Sequence, residues 1–221
     1  MNKAVVLLSG GLDSATTLYY AKAHGWVCHC LIFDYGQRHN KEIRSAMRIA
    51  RALQCPFTVV KIHMPWKGSA LLDKNITVPK NMPLKRQGIP VTYVPARNII
   101  FLSFAASYAE AIGAKKIFIG ANAVDYSGYP DCRPAFMNSF EATLRHGLKT
   151  GVRGQGINIE TPLIHKTKAQ IVKLAVKLKA PLSWTWSCYQ GGRKPCGVCD
   201  SCRFRAKGFE EAKIKDPTRL L

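Results

Sequence analysis

Between the apolar run Ala4-Val5-Val6-Leu7-Leu8 and the helix-forming run Ser14-Ala15-Thr16-Thr17-Leu18-Tyr19-Tyr20 stands the segment Ser9-Gly10-Gly11-Leu12-Asp13-Ser14. A β-branched run that breaks at two glycines and resumes as a helix reads as strand, tight loop, helix. Gly10 and Gly11 allow backbone angles and close approaches that a Cβ forbids, so loop N–H groups can converge on one anion. The helix N-terminus behind them adds unpaired donors and the positive end of its dipole. Ser9, Ser14 and Thr16 offer hydroxyl donors, and Asp13 can hold Mg²⁺ against phosphates. The spacing is neither the triphosphate loop ending in Gly-Lys-Ser/Thr nor the dinucleotide fingerprint G-x-G-x-x-G.

Beyond this first helix the chain alternates strands with amphipathic helices. Val27 to Phe33 reads as a strand on which Cys28 and Cys30 are small buried apolar residues, and Asp34-Tyr35-Gly36-Gln37-Arg38-His39 falls at its carboxyl end, where open α/β sheets bind ligands. A helix from Asn40 to Leu53 carries Ile43, Ala46, Met47 and Ala50 inward, and Phe57 to Ile62 forms a third strand. Pro65 to Pro95 holds five prolines and no periodicity, which predicts a lid over the site. After Val94-Pro95-Ala96-Arg97-Asn98 comes a helix with Asn98 as N-cap, Phe101, Phe104, Ala105, Tyr108 and Ile112 inward, and Gly113 as its stop.

Lys116 to Gly120 is the fourth strand, leading into a loop that bears Asp125, Asp131 and Arg133. Further helices span Pro134 to Leu148 and the region after Lys168, with a short strand between them. Such alternation implies βαβ crossovers and an α/β fold with a doubly wound, mainly parallel sheet. Residues 1–180 are expected to form this body and residues 181–221 a small appended segment.

In that segment Cys188, Cys196, Cys199 and Cys202 crowd together. Two overlapping Cys-x-x-Cys steps with a fourth cysteine upstream suit a tetrahedral, all-thiolate structural zinc site. An iron–sulfur cluster shares the Cys196-x-x-Cys199-x-x-Cys202 spacing; zinc is preferred because nothing else in the chain signals a redox partner. Arg193, Lys194, Arg203 and Arg205 are placed to offset the thiolate charge. The chain has no apolar run near the length of a membrane span and no cleavage pattern, so the expected compartment is the cytoplasm. Its net charge of +20 predicts attraction to polyanions, read as a lysine-rich solvated surface with RNA kept open.

The SGGLDS loop resembles the SGGxDS signature of the PP-loop ATP pyrophosphatases. Together with DYGQRH, VPARN, SGYPDCR (Ser127 to Arg133), the segment from Pro162 to Ile171 and WSCY…PCGVCDSCRFR, it resembles the 7-cyano-7-deazaguanine synthase family of queuosine biosynthesis over nearly the whole chain. That resemblance implies an adenine nucleotide alpha-hydrolase-like fold. It also implies an ATP-dependent ligase that turns 7-carboxy-7-deazaguanine and ammonia into the nitrile through an amide, with AMP and pyrophosphate as products or a phosphate-ester route giving ADP. A homodimer is implied, and nucleic acid is not required.

By position, the resemblance assigns ATP to Leu8, Ser9, Gly10, Gly11, Leu12, Asp13, Ser14, Ala15, Thr16 and Arg97. Asp13 (toward Mg²⁺), Ser14 and Lys168 become catalytic candidates; Asp34, Gln37, Arg38, Asp131 and Arg133 become substrate-binding candidates. The alternative is a PP-loop ATPase that adenylates and modifies tRNA directly. Its usual added RNA-binding domain or mid-chain cysteine pair is absent from this sequence. A zinc-ribbon module with a degenerate nucleotide fold is the non-enzymatic option, and the intact Ser9-to-Ser14 loop speaks against it.

Overall fold

The computed structural model describes residues 2–84, 88–124 and 128–219; Asp125 of the expected acidic loop lies outside them. Strands β1 (Lys3–Leu7), β2 (Val27–Asp34), β3 (Phe57–Lys61), β4 (Lys116–Phe118) and β5 (Asn158–Glu160) form one sheet in the order β3-β2-β1-β4-β5. Every neighbouring pair is parallel. The chain therefore winds outward from β1 to β3, returns across the sheet, and winds the other way through β4 and β5. The reversal lies between β1 and β4, which opens a crevice at their carboxyl ends.

Both faces of the sheet are covered, and this is why β1 reads as an unbroken apolar run. Val5 and Leu7 face α3 (Arg97–Ile112) and α4 (Pro134–Gly147), packing with Leu102, Ala105, Ala109, Met137 and Leu144. Ala4, Val6 and Leu8 face α1 (Leu12–Ala23) and α2 (Lys41–Ala52), packing with Ala15, Leu18, Ile43, Ala46 and Ile49. Cys28 and Cys30 are buried in that second layer, as small apolar residues. After the one-turn helix α5 (Lys149–Val152), α6 (Lys168–Lys177) starts at a capping box between Thr167 and Gln170. It pairs with α7 (Asp200–Ala212), burying Ile171, Val172, Ala175 and Phe209 around Leu12 and Leu163.

Two expectations need correction. On α3 the deeply buried face is Leu102, Ala105, Ala106 and Ala109, while Phe104 is 44% exposed. Small residues let this helix sit close on β1, and its rings are displaced to the margin, where Phe101 stacks on Phe33 with centroids 4.0 Å apart. The described residues of the segment from Pro65 to Pro95, expected as a lid, do not line the cavity at the carboxyl ends of β1 and β4. Instead Ala70, Ile76 and Val78 pack on Cys188, Cys199 and Cys202. Asn81 N–H donates to Val198 O at 2.9 Å, and the segment is threaded onto Arg38, whose guanidinium donates to the carbonyls of Ala70, Asp73 (2.9 Å) and Ile76.

The carboxyl-terminal stretch is fastened by one buried ion pair. Arg205 of α7 donates to both carboxylate oxygens of Asp216 at 2.8 and 3.0 Å, to Thr185 Oγ1 at 2.7 Å and to Leu182 O at 3.2 Å. The side chains are only 7% and 4% exposed. Arg205 thus neutralises Asp216 rather than the thiolates, and Arg203 donates to Met82 O. Burial alone would raise the Asp216 carboxyl, but the hydrogen bonds and charge of Arg205, with Thr218, hold it below its ordinary 3.8. Asp216→Ala should leave a buried guanidinium unpaired and cost about 3–5 kcal/mol in chemical denaturation at pH 7. A depressed carboxylate stabilises at pH values above its unfolded pKa and loses that contribution as pH falls through the folded one. The gap between native and variant should therefore close on strong acidification.

Candidate active site

The SGGLDS loop leaves β1 at the point where the sheet reverses. Gly10 has φ +85°, and a Cβ there would lie 2.2 Å from Glu42 O and 2.7 Å from Ala46 N of α2, so no other residue fits. This close packing folds the loop back on itself. Ser9 N–H and Gly10 N–H both donate to Ser14 Oγ, at 3.2 and 3.1 Å, and Ser9 Oγ lies 3.0 Å from it. Two backbone donors therefore converge on one oxygen. Gly11, the N-cap of α1, supplies no side-chain cap, so the first-turn N–H groups stay open at the positive end of the dipole. Thr16 is fully buried and its hydroxyl bonds back to Leu12 O at 2.8 Å; Ala15 is buried beside it. Neither offers a group to the cavity.

Facing this loop, Lys168 Nζ at the start of α6 donates to Asp13 Oδ2 and Oδ1 at 2.7 and 3.0 Å. Residues 155 positions apart thus form one partly buried pair. Lys168 is aimed from behind by α7, since a Cβ on Gly208 would come within 2.3 Å of Lys168 Cγ.

A cavity of about 310 Å³ opens in front of the pair, lined by Leu8, Ser9, Gly11, Leu12, Asp13 and Ser14, by Gln37 and Arg97, and by Lys168. Arg97 lies 6.0 Å from the ring centroid of Tyr129. Burial works against its charge, yet Tyr35, Tyr129 and Cys132 around it, with a hydrogen bond to Tyr35, hold its pKa above the usual value. The other substrate-binding candidates stand away from the cavity wall. Asp34 is half-buried at the end of β2, Arg38 is held by the proline-rich segment, and Arg133 is exposed. Asp131 lies beneath the wall: its carboxylate accepts from Asn98 N–H at 3.0 Å and its carbonyl from Asn98 Nδ2 at 3.1 Å. It caps α3 from a distant part of the chain, the task expected of Asn98 itself.

The four clustered cysteines meet beside this cavity. Their sulfurs lie within 4.8 Å of one another, with Cys196 and Cys202 Sγ 4.0 Å apart. A tetrahedral ion with bonds of about 2.3 Å sets thiolates about 3.8 Å apart, so the group could hold a metal. Backbone N–H groups of Gln190 and Cys196 donate to Cys188 Sγ at 3.4 and 3.3 Å. Hydrogen bonds from neighbouring thiols and from these amides hold the Cys188 thiol well below its usual range.

A family model described as "Queuosine biosynthesis protein QueC" matches residues 3–213. The chain belongs to the QueC family. It is 55% identical over 219 residues to a 7-cyano-7-deazaguanine synthase of Acetivibrio thermocellus, covering 98% of this chain and 96% of the relative. The same name belongs to relatives in Nostoc sp., 52% identical over 97% and 96% of the two chains, and in Picrophilus torridus, 55% identical over 96% and 89%. Among solved structures, NMN synthetase from Francisella tularensis superposes with a TM-score of 0.53 at 14% identity, covering 97% and 78% of the chains, a likeness of fold alone.

The cavity of this QueC chain also contains residues that the sequence pattern did not single out. Tyr35 and Tyr129 lie within the quoted motifs, and Asn122 follows β4 as Ser9 follows β1. Glu42 carried no signal, because on the polar side of α2 it looks like any solvated glutamate. Burial pushes its carboxyl up to about 7 against the opposing pull of Arg97, with Cys188 adding to the rise. A second groove, lined by Arg44, Arg48, Arg193 and Lys194, borders Trp186 behind the glycine loop and gathers part of the positive charge.

Two substitutions test this architecture. Cys199→Ser should release bound metal, seen by elemental analysis of the purified protein, and lower the thermal midpoint by several degrees. Gly208→Ala should push Lys168 off Asp13 and cut synthase turnover by at least tenfold, while metal content is the same as in the unsubstituted protein.

Proposed function

We propose that this QueC-family chain is a 7-cyano-7-deazaguanine synthase, which joins 7-carboxy-7-deazaguanine to ammonia and dehydrates the amide to a nitrile, with ATP activating oxygen in both stages. The observation that carries the reading is the open first turn of α1, beside the Ser9 and Gly10 N–H groups gathered on Ser14 Oγ, facing the Lys168–Asp13 pair across one cavity. Leu8 to Ser14 and Lys168 bind the phosphates, and Ala15 and Thr16 support the loop from within α1. Lys168 offsets charge that builds as pyrophosphate leaves, and Arg97 and Gln37 orient the acceptor. This is positioning and electrostatics rather than covalent catalysis. Asp34, Arg38, Asp131 and Arg133 belong to the surrounding frame of the acceptor site. Asp13 would hold Mg²⁺ once Lys168 turns to the phosphates, and the ion would supply further charge neutralisation there.

The four thiolates fit zinc, all ligands being protein, and such an ion would brace residues 181–221 against the ATP-binding body formed by residues 1–180. Exposed Ile99 and Phe104 on α3 support a homodimer. No helix among the described residues is long and apolar enough to cross a membrane, in keeping with the cytoplasmic reading.

Mass spectrometry of Mg-ATP, ammonium and 7-carboxy-7-deazaguanine incubated with the protein should show the nitrile with AMP. Asp13→Ala should abolish product while leaving the thermal midpoint within a few degrees of native; undiminished turnover would remove Asp13 from the chemistry. ADP in place of AMP would move the bond cleaved to the γ-phosphate. Light scattering should give the mass of two chains.

A further inference from the structure

A nitrogen nucleophile must be deprotonated in this reaction, and neither the phosphate loop nor the Lys168–Asp13 pair offers a free group to do it. Among the described residues the cavity holds two carboxylates, Asp13 and Glu42. Both oxygens of Asp13 accept from Lys168. Glu42, in the first turn of α2, faces the same space and makes no hydrogen bond or ion pair with its side chain among the described residues. A half-buried carboxylate that lines the cavity and has no fixed hydrogen-bond partner is the environment of a general base. The groups around it are Arg97 of α3, Tyr35 after β2 and Cys188 of the cysteine loop, with Lys168 and Arg205 elsewhere on the cavity wall.

We propose that Glu42 is the catalytic base that moves protons off nitrogen in both stages, an inference that rests on the synthase reaction proposed for this chain. In the first stage the substrate carboxylate attacks the α-phosphorus and the bond to pyrophosphate breaks; no proton moves. Ammonium then gives a proton to Glu42, the C–N bond forms, a second N–H proton is lost, and the C–O bond to AMP breaks, leaving the amide. In the second stage the amide oxygen attacks the α-phosphorus of another ATP and pyrophosphate leaves. The adduct gives up its two remaining N–H protons as the C–O bond breaks and C≡N forms, releasing AMP. Glu42 returns each proton to solvent, and no step is a redox step.

The first stage separates the base from everything else, because adenylation needs none. Glu42→Gln should keep substrate-dependent exchange of pyrophosphate into ATP within about twofold of native. Single-turnover amide formation from ammonium should fall about 10²–10⁴-fold. Hydroxylamine, neutral at pH 7, should narrow that deficit by at least tenfold in forming the hydroxamate, and Glu42→Asp should recover part of the ammonium rate. Metal content and thermal midpoint report folding; if the amide variant does not fold, Glu42→Asp carries the same comparison of exchange against amide formation. A native ammonium rate in the variant overturns the proposal. So does an equal loss of exchange and amide formation, or of both nucleophiles, which would make Glu42 a binding or structural residue. Native protein with no exchange at all would overturn the proposed reaction itself, and Glu42 with it.

Discussion

The structure depends on the contact between Gly10 and α2. With a Cβ excluded at 2.2 Å from Glu42 O, the backbone after β1 lies directly on the helix, and this turns Ser9 and Gly10 N–H groups inward while α1 starts uncapped. The same contact fixes the first turn of α2, from which Glu42 enters the cavity. One close approach thus sets both the donor array after β1 and the position of an acid group, and it does so at the sheet's reversal, where β1 and β4 diverge and leave room for a ligand.

The carboxyl-terminal segment holds the other wall. Lys168 starts α6, but its aim is set by Gly208 of α7, and α7 in turn begins at Cys199 and Cys202. The cysteine loop is pinned on one side by His39 and Trp186, whose ring nitrogens lie 2.8 and 2.9 Å from Cys188 O, and on the other by the proline-rich segment. The Arg205–Asp216 pair then secures the end of the chain against Thr185 and Leu182. A metal held by the four sulfurs is therefore mechanically continuous with the lysine that meets Asp13, although it lies outside the reacting cavity. Removing such an ion would loosen α7 before it disturbed the sheet.

Local patterns determined much of this protein. Alternation of apolar runs with amphipathic stretches yields the parallel sheet and its helices, because both depend on near-neighbour periodicity. The Gly-Gly step and the Cys-x-x-Cys steps mark the tight turn after β1 and the gathering of four sulfurs, because each is built from contiguous backbone.

Tertiary structure alone decided what faces what. Lys168 meets Asp13 across 155 residues, Asp131 rather than Asn98 caps α3, and Arg38 binds three carbonyls far ahead of it, none of which leaves a mark on local periodicity. The proline-rich segment lacks a repeating pattern whether it covers a site or clasps a knuckle, so only its packing against the buried cysteines distinguishes the two. Glu42 is the sharpest case. In sequence it sits between Lys41 and Arg44 on the polar side of α2, and its environment is created by Arg97, Tyr35 and the cysteine loop, brought together when the sheet closes its helices over both faces.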